Sequence, residues 1–384
     1  MKTFAQRDQE SLDRICRDCI APAAATVDRT GQFPNLSIQS LKSAGLLGAI
    51  SSPGAGGLGM DLGGAAAIVK RVAEECGSTA MVLCMHYCGA AVLEAYAPMD
   101  VRRAVAAGQH LSTLAFSESG SRSHFWAPQG TAAPAAHNGH VSLNARKSWV
   151  TSASYATAYI WSSQPLEAEG IAGNAPSTLW LVPAGSPGLS VQGPFEGLGL
   201  RGNDSCPISA DDVRVPRSAM LGADGKGFEI MMGTVLPAFA ILSAACSVGF
   251  MKAASRRTVE HATRTRHADT GCMLAGLPTI RNCIARMRIK TDMAGALLDD
   301  TVEAVRAARP DARLRVLECK ACASEAANEV LDLAMRVCGG AGFRKDLGIE
   351  RYFRDTRAAG VMAPTTDALY DFIGKSLCGL PLFE

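Results

Sequence analysis

The sequence predicts an α+β multidomain chain in three parts: an N-terminal α-helical domain over residues 1–112, a middle antiparallel β-barrel over 113–222 and a C-terminal four-helix bundle over 223–384. Three features carry this expectation. Apolar residues recur at helical spacing as far as about residue 112; from Leu111 short β-type runs alternate with clusters of Gly, Pro, Asn and Ser; beyond Gly225 and Gly227 long helical patterns return.

In the first part the helical period runs through Leu12, Ile15, Cys19 and Ile20, resumes over Leu36 to Leu47, and recurs from Ala65 to Val72. Gly54, Gly56 and Gly59 satisfy the spacing of a dinucleotide-binding turn, G-x-G-x-x-G. Such a turn needs a strand before it and an acidic residue after the next strand. Here helical text and Pro53 precede it, and Glu74 and Glu75 fall before the next apolar run, so a surface loop between helices is expected. In the middle part LSTLAFSE, HVSLNARKSWVTSA, ATAYIWSSQ, STLWLVPA, LSVQGPF and CPISADDVRVP have strand length and turn-forming separators, with a polar loop from Glu167 to Ser177. In the last part Ile284, Met287, Ala294, Leu298 and Val305 mark one helix face, and Leu317, Ala321, Ala327, Val330, Leu331 and Ala334 another, as antiparallel bundle packing requires. The uncharged run from Ile230 to Met251 is long enough to span a bilayer. It carries Thr234, Pro237, Ser243 and Ser247 and stands alone, which favours a buried bundle helix.

Hydrophobic residues make up 48% of the 384 and charged residues 19%, as in ordinary globular proteins, and the formal net charge of +2 offers no bulk field for nucleic acid or a membrane surface. The N-terminus is charged throughout and lacks the apolar core of a signal peptide. Thirteen scattered cysteines make no disulfide framework, so a reducing cytoplasm is expected. Cys16/Cys19 and Cys319/Cys322 have zinc-like spacing, but each pair sits in helical text and no metal is expected.

The stretch from Met335 to Leu369 stands out: a helix end, a glycine-rich turn at Gly339, Gly340 and Gly342, a helix with Glu350, Arg351, Arg354 and Asp355, and a Pro-broken loop. Glycines there let a backbone approach a ligand closely. The letters GGAGF, IERYFRD and the loop ending in Thr365 resemble the C-terminal signature of the acyl-CoA dehydrogenases. The resemblance covers nearly the whole chain and implies the same α, β, α-bundle architecture, FAD as cofactor, an acyl thioester on CoA or a carrier protein as substrate, electron-transferring flavoprotein as partner, and a homo-oligomer whose glycine pair, Gly339 and Gly340, reaches the FAD pyrophosphate of a neighbouring subunit.

Carried over residue by residue, it places flavin contacts at Ser117, Trp149, Thr151 and Thr365. Lys147-Ser148-Trp149-Val150-Thr151 matches the family's Lys-x-Trp-Ile-Thr, where a flat indole lies against the flavin and a hydroxyl bonds ring N5; a core Trp followed by a surface Thr is the competing reading. Ser117 to His124 resembles the Thr-Glu-Pro-Gly-Ala-Gly-Ser-Asp loop, with Ser123 near the thioester arm and Arg122 and His124 making the pocket mouth more basic; without the resemblance it is a polar barrel loop. Arg336 stands where a glutamine is usual and its guanidinium suits a pyrophosphate. The adenine-side turn, Arg264 to Gly271, keeps arginines but lacks the family's phenylalanine.

The family's reaction removes an α-proton with a glutamate while a β-hydride leaves to the flavin. That glutamate is replaced by Ala363, and the alternative address on the first bundle helix falls on or beside Phe239. Asp367 and His86 are the remaining candidates for proton transfer, with roles as a helix N-terminal charge and a packing histidine as alternatives. Dehydrogenation of an acyl thioester is the first functional expectation; an oxygen-using flavoenzyme on the same fold and a non-catalytic flavin- or thioester-binding protein are the rivals.

Overall fold

The structure is a computed structural model that describes residues 6–121, 124–135, 139–167 and 176–383. Most of the polar loop expected over 167–177 lies outside them. The N-terminal part holds α1 (Gln6–Ile15), α2 (Ala21–Thr30), α3 (Asn35–Ser43), α4 (Leu62–Ala73), α5 (Gly77–Tyr96) and α6 (Met99–Ala106). The middle part holds β1 (Ser112–Ala115), β2 (Thr131–Pro134), β3 (His140–Val150), β4 (Ala158–Ser163), β5 (Thr178–Pro183), β6 (Leu189–Val191), β7 (Cys206–Pro216) and β8 (Met220–Leu221). The last part holds α7 (Gly227–Ile230), α8 (Leu236–Arg264), α9 (Pro278–Arg306), α10 (Ala312–Cys338), α11 (Ile349–Val361) and α12 (Thr366–Leu377).

Two π-turns, Cys16–Ile20 and Met231–Val235, make α1 continuous with α2 and α7 with α8. Each ends two residues before a proline, Pro22 or Pro237. Proline has no N–H to donate and its ring crowds the carbonyl four residues back; a widened turn at that point removes the clash without ending the helix. The uncharged run therefore forms one long helix through Pro237. Helices α5 and α7–α8 are long and apolar enough to cross a membrane, yet both are mostly buried within the protein. Their side chains, with those of α4 and α10, make one continuous core.

The β part is two four-stranded sheets, ordered β1-β4-β5-β8 and β2-β3-β7-β6. Every ladder is antiparallel except β1 with β4, where Ser112 faces Ala158 in parallel. The chain leaves β1, builds β2 and β3 in the other sheet, and returns to pair β4 beside β1, and such a crossover gives a parallel neighbour. Between the sheets lie Val141, Leu143, Trp161, Trp180, Ile208 and Val213. Gly54 to Gly59 follow no strand: they form a loop around the 3-10 turn Pro53–Ala55 and lead to Asp61, which caps α4 by accepting the Gly64 N–H at 3.0 Å. The paired cysteines lie on helices, as their spacing suggested.

The charged residues of α11 bind the three parts to one another. Arg354 pairs with Asp28 of α2 at 2.6 Å and donates to the Leu198 carbonyl at 3.1 Å. Asp355 accepts the Leu200 N–H at 2.6 Å, Arg351 donates to the Glu75 carbonyl at 3.0 Å and the Tyr352 hydroxyl to that of Glu74 at 2.7 Å. Residues 351, 354 and 355 share one helix face by their spacing, and that face meets the junction of the helical and β parts.

Asp355 is buried, and that burial outweighs the Leu200 N–H and the Arg351 guanidinium, pushing its carboxyl up to about 6. Between its ordinary 3.8 and about 6 the folded chain keeps a proton that the unfolded chain has released. Stability from this residue is therefore full below the lower value and lost as pH rises through the upper one, by on the order of 3 kcal/mol. Asp355→Asn keeps an acceptor for Leu200 and should flatten the decline; urea unfolding of both proteins at several pH values from about 4 to about 7 checks it.

Candidate active site

Strand β3 loses register with β7 between Lys147 and Val150, and Trp149 sits in the bulge at φ 56°. A left-handed backbone is costly for a bulky residue. Here it turns the indole out of the sheet, leaving Trp149 72% exposed, so the competing reading of a core tryptophan is not met. Thr151 is buried, with its Oγ1 3.0 Å from Ser205 Oγ. Ser117, half-buried, accepts the Ser148 N–H on its carbonyl at 2.8 Å, so the chain after β1 runs beside this bulge. Ser117, Trp149 and Thr151 are thus brought to one corner of the β domain.

What holds that corner is an ion pair. Lys147 Nζ lies 2.7 Å from Glu118 Oε1, and both side chains are all but sealed from solvent at 0% and 3% exposure. The Glu118 carboxylate also accepts the N–H groups of Gln129 and, at 3.1 Å, Gly130; Lys147 donates to the Ser162 carbonyl at 2.7 Å and its hydroxyl at 2.9 Å, with the Trp161 ring centroid 5.2 Å away. Burial pulls the Lys147 amine down to about 8 while Glu118 pulls it back up, and at neutral pH the amine stays charged. Sequence reasoning passed over it, although both residues stood inside the matched motifs.

In the bundle, Ala363 packs against the main core and Phe239 is buried on α8. Thr365 caps α12: its Oγ1 accepts the Ala368 N–H at 3.3 Å. Asp367 is exposed in the first turn of that helix, where a carboxylate offsets the helix dipole. Arg336, Gly339 and Gly340 are exposed at the end of α10; Gly339 has φ 53°, and a Cβ on either glycine would meet nothing within 4 Å. Phe343 beside them is 81% exposed. The turn Arg264 to Gly271 is also exposed.

His86 does not serve proton transfer in this arrangement. Its Nε2 donates to the Leu47 carbonyl at 2.9 Å and its Nδ1 accepts the Ser112 N–H at 3.1 Å, so both nitrogens tie α5 to the neighbouring turn and to β1. Burial, partly offset by the Leu47 bond, holds the ring neutral with its pKa lowered to about 4. His124 stacks on Trp126 at 4.8 Å, and Trp126 packs in turn against Phe125, Phe372 and Phe383. It therefore belongs to an aromatic cluster. Arg122 and Ser123 lie outside the described residues.

These features define a three-domain α–β–α protein whose candidate site lies where a bulged strand of the β domain and the α11–α12 loop of the bundle come into play. Family profiles for the N-terminal, middle and C-terminal domains of acyl-CoA dehydrogenases match residues 5–107, 113–213 and 225–378 in that order. The chain belongs to the acyl-CoA dehydrogenase family. It is 28% identical over 378 residues to a probable acyl-CoA dehydrogenase of Bacillus subtilis, covering 97% of each chain. To the human mitochondrial short-chain specific acyl-CoA dehydrogenase it is 27% identical over 377 residues, covering 93% of this chain and 87% of that one. The solved butyryl-CoA dehydrogenase of Megasphaera elsdenii has the same fold, with a TM-score of 0.90 at 22% identity over 98% of this chain and 100% of that one.

Replacing Glu118 by Gln leaves Lys147 buried without its counter-ion. Loss of one partner of a buried pair costs about 3–5 kcal/mol, and chemical denaturation of Glu118→Gln should show a loss of that size. A change under about 1 kcal/mol would mean that the Ser162 oxygens alone hold the lysine.

Proposed function

We propose that this protein is an FAD-dependent oxidoreductase of the acyl-CoA dehydrogenase type that acts on an acyl thioester by α,β-dehydrogenation. The observation that carries this is the corner at Ser117, Trp149 and Thr151: an indole turned out of its sheet by a bulge, next to two hydroxyl residues held by a buried ion pair. An exposed flat ring beside hydroxyl groups fits a flavin, whose ring is apolar on its faces and accepts hydrogen bonds at its edge. Arg336 and the open backbone at Gly339 and Gly340 fit a pyrophosphate, brought by a second copy of the chain in a homo-oligomer. When bound, FAD supplies the acceptor for the hydride; electrons then pass to an electron-transferring flavoprotein, and the cytoplasm is the proposed location.

The chain's own contribution to the proton step is weak. Neither Ala363 nor Phe239 has a group that accepts a proton, His86 has both nitrogens committed, and Asp367 is exposed and of use mainly to its helix. A positioned base contributes roughly 10²–10⁴-fold, so dehydrogenation here is expected to be slow by that margin. The same apolar lining favours a second activity, an oxygen-using flavoenzyme on this fold, which needs a dry site and no α-proton base.

The experiment is an anaerobic visible spectrum of the FAD-loaded protein before and after a panel of acyl-CoA thioesters. The flavin bands should bleach slowly in wild type, and at least about a hundredfold faster in Ala363→Glu. Folded, FAD-loaded Ala363→Glu that bleaches with no thioester would sink the dehydrogenase proposal. Oxygen-atom transfer to a substrate by the reduced wild type would put the second activity first, and failure to retain FAD would overturn both.

A further inference from the structure

Lys320 lies in the middle of α10 with 1% of its surface exposed. Its Nζ donates to three backbone carbonyls: Ala359 at 3.1 Å, Met362 at 3.0 Å and Pro364 at 2.8 Å. An ammonium has three donors and no acceptor, so the three bonds use all of them. The carbonyls come from the last turn of α11, its C-cap and the loop beyond, and they bracket Ala363. The ammonium also stands 5.7 Å from the centroid of the Phe239 ring. Both positions from which a carboxylate is missing thus meet at one buried cation.

No carboxylate forms an ion pair with Lys320 among the described residues. The titratable side chain that acts on it is Cys84 of α5, whose bond to Cys246 pulls its pKa down while its bond to Cys88 and burial push it well up, keeping the thiol neutral. From α8 it faces the uncharged Phe239 ring, and from α11 and the loop before α12 only carbonyls. Its charge is balanced by backbone dipoles alone.

We propose that Lys320 is a positioning residue: its protonated amine sets the path of the backbone from Ala359 to Thr365, and through it the shape of this wall of the site. This rests on the proposed function for its placing of the site at that loop. Burial pulls the amine from its ordinary 10.5 down to about 8. A neutral amine keeps two N–H groups for three carbonyls and turns a lone pair toward the third, so one buried acceptor loses its donor and the loop loosens. Global stability moves the other way. Between about 8 and 10.5 the unfolded lysine holds a proton that the folded one has released, so stability rises with pH there. A site that fails above pH 8 in a protein that is not becoming less stable is the signature of positioning and not of unfolding.

Two readouts test this. Hydrogen exchange followed by mass spectrometry needs no ligand. Lys320→Met should speed exchange about tenfold or more in segment 357–369 and leave α8, α9 and the two sheets as in wild type. With FAD and a thioester that bleaches it, the wild-type rate should fall about tenfold between about pH 7.5 and about pH 9.5 with no drop in melting temperature, while in Lys320→Arg, charged throughout, the fall should be several times smaller, the remainder belonging to Lys147, whose amine titrates in the same range. Exchange raised evenly along α10 and the core, or a pH profile that Lys320→Met shares with wild type, would overturn the proposal. If wild type takes up no FAD, the proposed function falls, and the exchange experiment still decides the role of Lys320.

Discussion

The buried pair of Lys147 and Glu118 is the interaction on which the β side of the site depends. It joins strand β3 to the segment after β1 and reaches Ser162 on β4, so one ammonium ties both sheets together at their open end. Two charges out of water are costly unless their remaining donors and acceptors are filled. Here the carboxylate also takes two backbone N–H groups and the ammonium two oxygens of Ser162, so the desolvation is well compensated. That rigid corner allows the next turn of chain to be strained. Trp149 holds a positive φ and an exposed ring because its neighbour Lys147 cannot move.

The loop between α11 and α12 is organised by a second buried lysine on different terms. Lys147 is matched by a full negative charge, whereas Lys320 is matched only by carbonyl dipoles at the end of α11. The amines of both are pulled down toward 8 by burial. The consequences differ, since losing a proton from Lys147 would strand a buried carboxylate, while losing one from Lys320 strands a single carbonyl. Both holds therefore depend on a proton lost near pH 8, and they differ in what its loss leaves unpaired.

Much of the fold was legible because its signals are local. The burial of Met287, Ala294 and Leu298 on α9, and of Leu317, Ala321, Ala327 and Val330 on α10, follows their helical spacing. Six of the eight described strands were marked by their turns, while the short β2 and β8 were not. The two π-turns, each set by a proline downstream, and the parallel β1–β4 pair were not legible, since each follows from a three-dimensional conflict or crossover. In the site, the two matched segments lie beside one another, with Ser117 accepting the Ser148 N–H, but the bulge that exposes the indole has no signature in one strand alone. In the sequence Arg351, Arg354 and Asp355 are only charges on a helix that follows a glycine turn. Their partners, Asp28, Glu75 and the chain at Leu198 to Leu200, lie far away in sequence, and only the folded chain shows that these charges join domains.

The same separation explains how the position usually held by glutamate can carry alanine. The loop between α11 and α12 is held from behind by Lys320 through the carbonyls of Ala359, Met362 and Pro364, and from in front by Thr365, which caps α12 with its side chain. None of these bonds involves the side chain at 363. A residue whose side chain has no part in shaping its own backbone can change chemistry without changing the fold. Removing a carboxylate here even relieves the loop of a charge that burial would penalise. Among the described residues Lys320 has no ion-paired anion, and the three carbonyls that take its protons leave the side chain at 363 out of its coordination. The architecture therefore constrains where a ligand lies much more tightly than what is done to it, and the chemistry of this chain is decided by the few side chains that the scaffold does not need.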